Sequence, residues 1–249
     1  MKNMKIYLVF KYYNERICHL IKLFNLKHNN NCSMALLINN NSLELYNRDN
    51  LKQKSIKVDF TSKKNNYRCC NFRKKNEILS RVVGIKKYYF PFVLDATAGL
   101  GNDAFVLAFL GCKVIMIERH PIVAALLKDG LERGYEDKKI GFWLKKRLHL
   151  LVNDSLNMLE LSIPKPDVIY LDPMYPTNKK KSLPKKNMQI LRKLIGKSYD
   201  CEKLLNISRK FAKKRIIVKR PCYAKPLSKD KVNFVIKNKN HRFDIYNPF

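Results

Sequence analysis

The chain has 249 residues, 46% hydrophobic and 29% charged, enough to bury a sizeable core in one large domain or in a domain with a small extension. Fifty-one Lys and Arg against 20 Asp and Glu give a formal net charge of +31, which favours polyanionic partners because each neutralised phosphate releases counterions. Lys and Asn crowd even the loops, so charge alone does not single out nucleic acid; the seven cysteines form no C-x-x-C pair, and no apolar run approaches the roughly 18 residues of a membrane span. These features predict a reduced, cytoplasmic protein with neither metal nor membrane partner.

In chain order, residues 1 to about 90 are irregular and poor in glycine. "KIYLVF", "MALLI", "LELYN" and "IKVDF" read as short strands. "ERICHLIKLFNL" reads as a helix with Ile17, Leu20, Ile21 and Phe24 on one face. "KKNNYRCCNFRKKN" reads as a basic loop or helix entry.

From about residue 91 strands and helices alternate. "FVLDAT", "KVIMIE", "LHLLVND", "DVIYLD" and "RIIVKR" are apolar strands that end in polar residues, and "HRFDIY" is a candidate final strand. "AFVLAFLG" and "PIVAALLKDGLERGY" are helices between them, the second opened by Pro121 at a favoured first position. A further helix is predicted over Met188–Ile195. This alternation predicts an α/β fold with a mostly parallel sheet covered on both faces. Such sheets bind ligands beyond the carboxyl ends of their strands.

Those ends carry the candidate site. After the first strand, "LDATAGLGNDA" places Gly99 and Gly101 in a tight turn that a ligand can approach, with Asp95, Asn102 and Asp103 around it. The string also fits G-x-G-x-x-A, the dinucleotide fingerprint. Two added carboxylates disfavour a pyrophosphate and suit a positive ligand group such as a sulfonium or an amine. Glu118, with Arg119, lies about 20 residues beyond the turn, where an acidic residue commonly holds ribose hydroxyls. Asp154 and Ser155 follow the third strand, as adenine contacts or as a helix cap. In "VIYLDPMYP", Asp172 can accept a hydrogen bond from an exocyclic amino group, and Tyr175 offers a stacking face. Lys179, Lys180, Lys181, Lys185 and Lys186 beyond it suit phosphates or a solvated surface. Lys219 and Arg220 of "VKRP" add cations to the same rim, and His241 has no metal-spaced partner.

The segments "DATAGLGNDAFVLAFLGCKVIMIERHPIVAALLKDGLERG", "VIYLDPMYP", "VKRP" and "NHRFDIY" resemble the methyltransferase J family of the bacterial ribosomal small subunit. The resemblance runs from about residue 33 to the C-terminus and is strongest over 95–134 and 170–176. It implies a class I, Rossmann-like fold over residues 91–249, with residues 1–90 as an α+β extension suited to docking RNA. It implies S-adenosyl-L-methionine as cofactor, held at Asn102, Asp103, Glu118, Arg119, Asp154, Ser155 and Asp172. The implied reaction is methylation of a guanine N2 in 16S ribosomal RNA, free or in the small-subunit particle, with Asp172 and Tyr175 at the reacting base. The family usually has Arg at the position of Asn102, and a glycine-rich stretch where this chain has "TSKKNNYRCCNFRKKNE". "DPMYP" is also similar to the Asp/Asn-Pro-Pro-Tyr/Phe motif of amino-group methyltransferases, with Met174 in place of the second proline. The residues alone leave two alternatives, an NAD-dependent oxidoreductase and a non-catalytic RNA-binding protein.

Overall fold

The computed structural model describes residues 4–63, 65, 78–174, 186–196 and 200–249. Near the N-terminus, β1 (Met4–Phe10), β2 (Leu26–His28), β3 (Met34–Ile38) and β4 (Leu43–Asn47) form a four-stranded sheet in the order β2-β1-β3-β4. β1 runs parallel to β2 and β3, and β3 and β4 pair antiparallel. Helix α1 (Glu15–Leu23) starts where the Asn14 side chain accepts the Ile17 N–H at 3.0 Å, and it buries Ile17, Leu20 and Ile21 on one face.

"IKVDF" is not the strand its alternation predicts. Ile56 makes only an isolated bridge to Leu45. Val58 and Phe60 are buried instead against a helix of the main domain, lying over Gly130 and Gly134. Alternation there records side-chain packing on one side, without a partner strand along its length.

The main sheet has seven strands in the order β10-β11-β9-β8-β5-β6-β7. They are β5 (Phe92–Asp95), β6 (Lys113–Glu118), β7 (Leu148–Val152), β8 (Val168–Leu171), β9 (Arg215–Pro221), β10 (Phe234–Lys237) and β11 (His241–Tyr246). β5 through β9 are mutually parallel; β11 is antiparallel to both β9 and β10. The helices are α2 (Ile78–Val83), α3 (Asn102–Phe109), α4 (Pro121–Glu136), α5 (Gly141–Arg147), α6 (Lys186–Ile195) and α7 (Cys201–Phe211), with a 3-10 helix at Ser155–Glu160.

Both faces of the sheet are covered, which is why its central strands are continuous apolar runs. Val93, Val114, Val168, Tyr170 and Ile217 share a core with α3, α4 and the N-terminal layer. Leu94, Ile169, Leu171, Ile216 and Val218 share another with Leu204, Leu205 and Phe211 of α7. Each such aliphatic burial contributes roughly 1.5–3 kcal/mol. The N-terminal layer is fastened to α4 at Asp129, whose fully buried carboxylate takes Arg16 at 2.7 Å, Arg133 at 2.9 Å and the Leu43 N–H at 3.2 Å.

Strand order reverses between β5 and β8. From β5 the chain moves outward through β6 to β7, then returns to the other side of β5 as β8. Asp95 ends β5 and Asp172 follows β8, so both stand at that reversal, where sheets of this kind place their ligand crevice. Among the described residues, no helix is long and apolar enough to cross a membrane.

Candidate active site

Hydrogen bonds lock the two strand ends at this crevice together. Asp95 Oδ1 accepts the Thr97 N–H at 3.1 Å, and Thr97 Oγ1 accepts the Asp172 N–H at 2.6 Å. The turn after β5 therefore holds the turn after β8 at a fixed offset. The two glycines in it differ in purpose. Gly99, at φ +54, faces open space, where an added Cβ would meet only the Thr97 carbonyl at 3.9 Å. Gly101, at φ +70, faces inward, and a Cβ there would press on Leu127 and Met116 at 3.0 Å. Gly99 thus leaves bare backbone toward a ligand, while Gly101 lets α3 start close to the core.

Three carboxylates and one ammonium gather beside this turn. The β8–β9 register pairs Leu171 with Val218, which brings Lys219 level with Asp172. Lys219 Nζ lies 2.7 Å from Asp103 Oδ2 and 2.8 Å from Asp172 Oδ2. The Tyr170 hydroxyl donates to Asp103 Oδ2 at 2.8 Å. Asp95, only 3% exposed, is pushed up to about 8, first by desolvation and then by the charges of Asp103 and Asp172; the Thr97 N–H and Lys219 oppose that rise. Burial disfavours the charge on Lys219, but Asp172 and Asp103 outweigh it and raise its pKa. Desolvation also raises the Asp172 carboxyl, against Lys219. With 43% of its side chain open to solvent, water moderates that rise until a ligand covers the mouth.

The adjoining rim is built from the ends of β6 and β7. Glu118 is buried, with Oε1 accepting the His120 N–H at 2.8 Å and Oε2 the Gly99 N–H at 3.2 Å. Burial raises its pKa against those donors. Arg119 Nη1 pairs with Asp154 Oδ2 at 3.1 Å, while Asp154 Oδ1 caps the 3-10 helix by accepting the Leu156 N–H at 3.0 Å. Ser155 is buried and donates to the Ala96 carbonyl at 2.5 Å, so its hydroxyl braces the turn after β5.

The structure thus gathers Asp95, Gly99, Asp103, Glu118, Arg119, Asp154, Ser155 and Asp172 around one crevice. Asn102 is the exposed first residue of α3. Tyr175 and Lys179, Lys180, Lys181 and Lys185 lie outside the described residues, and Lys186 is described by its backbone alone. Sequence reasoning passed over Thr97 and Tyr170 and saw Lys219 only as a rim cation. Their position at strand ends beside the other candidates was the available signal. Among the described residues, no group of three or more His, Cys, Asp and Glu is arranged to hold a metal ion.

Bare backbone at Gly99, an acidic residue at the end of β6 and a desolvated acid cluster suit a nucleoside that carries a cationic group. A family model described as "Putative SAM-dependent methyltransferase" matches residues 19–248. The crystal structure of the SAM-dependent methyltransferase NGO1261 from Neisseria gonorrhoeae aligns with a TM-score of 0.78 at 32% identity, covering 99% of this chain and 96% of that one. Fold and crevice define a class I methyltransferase whose cofactor is S-adenosylmethionine.

Sequence relatives narrow the class. The ribosomal RNA small subunit methyltransferase J of Buchnera aphidicola from Acyrthosiphon pisum (strain APS) is 74% identical over 246 residues, 99% of this chain and 100% of that protein. Its namesake in Photorhabdus laumondii is 48% identical over 233 residues, 94% of each chain. The chain belongs to the ribosomal RNA small subunit methyltransferase J family. This membership displaces the oxidoreductase alternative.

Proposed function

We propose that the protein methylates the N2 amino group of an unpaired guanine in small-subunit ribosomal RNA, in the cytoplasm. The observation that carries this reading is Asp172, held by Thr97 and Lys219 at the strand-order reversal, with 43% of its side chain open to solvent. The names of the relatives support the RNA substrate. We assign Glu118 to the ribose hydroxyls, Asp154 with Arg119 to the adenine side, and Asp95, Gly99 and Asp103 to the amino-acid and sulfonium portion. Asn102 borders that portion, and Ser155 and Gly101 shape the turn beneath it.

S-adenosylmethionine bound there would supply an electrophilic methyl group on a sulfonium, whose S–C bond breaks to leave a neutral thioether. The chain's own task is positioning, which can supply a large part of such a barrier. Asp172 accepts a hydrogen bond from the N2 amino group, localises its lone pair, and takes the proton that N2 sheds before passing it to water. Tyr175 stacks on the extruded base. Residues 1–90 serve as the RNA-docking extension of a catalytic domain spanning 91–249.

Incubation with small-subunit RNA from cells lacking the protein, methyl-labelled cofactor and mass mapping of the product tests the reading. Label on N2 of a single guanine is the expected result. RNA binding without label transfer would favour the non-catalytic alternative, and label on another atom would overturn the base assignment.

A further inference from the structure

Lys219 has a use beyond charge balance. An ammonium carries three N–H donors. Among the described residues, two acceptors reach Lys219 Nζ, Asp103 Oδ2 at 2.7 Å and Asp172 Oδ2 at 2.8 Å. One donor is left over, on a side chain that keeps 17% of its surface open. Asp172 is the more exposed partner, and its Oδ1 takes no hydrogen bond among the described residues. Asp172 and Lys219 therefore offer three neighbouring polar atoms in sequence: Asp172 Oδ1, an acceptor; Asp172 Oδ2, an acceptor with a lone pair to spare; and Lys219 Nζ, a donor.

We infer that Asp172 and Lys219 together read the Watson–Crick edge of the target base, with Lys219 donating to guanine O6, and so select guanine over the other bases. This inference rests on the proposed guanine-N2 reaction. The guanine edge runs N2–H donor, N1–H donor, O6 acceptor, and it meets the protein's acceptor, acceptor, donor at every place. Adenine offers no donor at its C2, an acceptor at N1 and a donor at N6, so N1 faces a carboxylate oxygen and N6 faces an ammonium. Cytosine, read from N4, puts its N3 lone pair against Oδ2. Uracil, read from O4, puts a carbonyl against Oδ1. In the guanine alignment N2 falls on Oδ1, the oxygen left free to receive it. Because the whole edge is engaged, the guanine must be unpaired when it enters. Asp103 and Tyr170 act behind this pair, since the hydroxyl and the second carboxylate fix where the ammonium stands.

The test uses an RNA fragment containing the guanine that the wild-type protein labels, and the same fragment with 2,6-diaminopurine there. The analogue keeps the N2 amino group but reverses the polarity at N1 and at position 6. Wild-type protein should favour guanine by about 100-fold or more in kcat/KM, as sites built around substrate hydrogen bonds do. Lys219→Met should narrow the preference to roughly tenfold or less, and Lys219→Arg, which keeps a donor, should retain more of it. One enzyme and one cofactor serve both RNAs, so damage to the fold or to cofactor binding scales both rates and leaves their ratio unchanged. If the methionine variant turns over too slowly, the ratio is read from equilibrium binding of the two RNAs. Equal use of both RNAs by wild type, or an unchanged preference in Lys219→Met, overturns the inference. Failure of wild type to label N2 of any guanine overturns the proposed function itself.

Discussion

Asp95 offers a test in which the same substitution should stabilise the fold and weaken the site. Its carboxyl rises from 3.8 to about 8 because it is desolvated beside Asp103 and Asp172. At 1.36 kcal/mol per pH unit, keeping that group in the fold costs roughly 6 kcal/mol once the pH passes 8, and little near pH 4. The sign follows from proton uptake. Between those values the unfolded chain is ionised at this position and the folded chain is not, so folding binds a proton. Stability present at low pH is lost as pH rises through the window and levels off above it. In Asp95→Asn the amide oxygen can still accept the Thr97 N–H, and the titration disappears. The variant should be more stable by about 3–5 kcal/mol at pH 8 and by little at pH 4.5, discounting for rearrangement of Lys219 and solvent. In urea, with a slope of roughly 2–3 kcal/mol per molar, its midpoint should rise by about 1–2 M at pH 8. Above pH 8, where the wild-type carboxyl is ionised, the same variant should bind S-adenosylmethionine more weakly, and lose less affinity for S-adenosylhomocysteine, which lacks the sulfonium charge. A midpoint difference that is the same at pH 4.5 and pH 8 would refute the reasoning.

Three other perturbations probe separate parts of the molecule. Asp129→Ala leaves Arg16 and Arg133 around an empty buried position and should cost about 3–5 kcal/mol, read as a lower urea midpoint; a loss under 1 kcal/mol would mean that the N-terminal layer is held mainly by its apolar contacts. Asp172→Ala should lower label transfer by at least about 100-fold with the circular dichroism spectrum unchanged, and near-normal turnover would remove it from the reaction. Glu118→Gln should weaken S-adenosylhomocysteine binding by about tenfold, the worth of one hydrogen bond to a charged group, and calorimetry showing equal affinity would remove the ribose assignment.

Much of the sheet was legible because its strands are short apolar runs that stop at polar residues. β5, β6, β8, β9 and β11 fall where those runs lie, and α4 begins at Pro121. Less was legible where structure depends on distant partners. The 56–60 segment has a strand's alternation, but pairing needs a second edge, and only Ile56 finds one. Helix α7 buries Leu204, Leu205 and Phe211, yet Ser208 interrupts the stripe and is tolerated because its hydroxyl donates to the Leu204 carbonyl. β10 is an edge strand with little burial, so hydrophobic periodicity had little to mark. The acidic strand ends could be read one by one. The role of Lys219 could not, because it depends on Asp103 and Asp172, 116 and 47 residues away along the chain.

The contrast between the whole molecule and its crevice gives the acid cluster a physical purpose. A chain with a net charge of +31 attracts RNA phosphates and repels a cationic cofactor. Salt screens exposed charges beyond about 8 Å, so the surface excess is weak at the crevice while Asp103 and Asp172 act there at short range. Desolvation strengthens these carboxylates as partners for a sulfonium or an ammonium, and Lys219 offsets part of their mutual repulsion without filling the site. These two carboxylates also repel phosphate, and Asp95 joins them only above its raised pKa. A nucleotide drawn to the basic surface can therefore place its neutral base in the crevice while its backbone stays on the lysine-rich exterior. Making the crevice less acidic, as Asp95→Asn does above pH 8, weakens both the hold on the cationic donor and the barrier that keeps the phosphate backbone out.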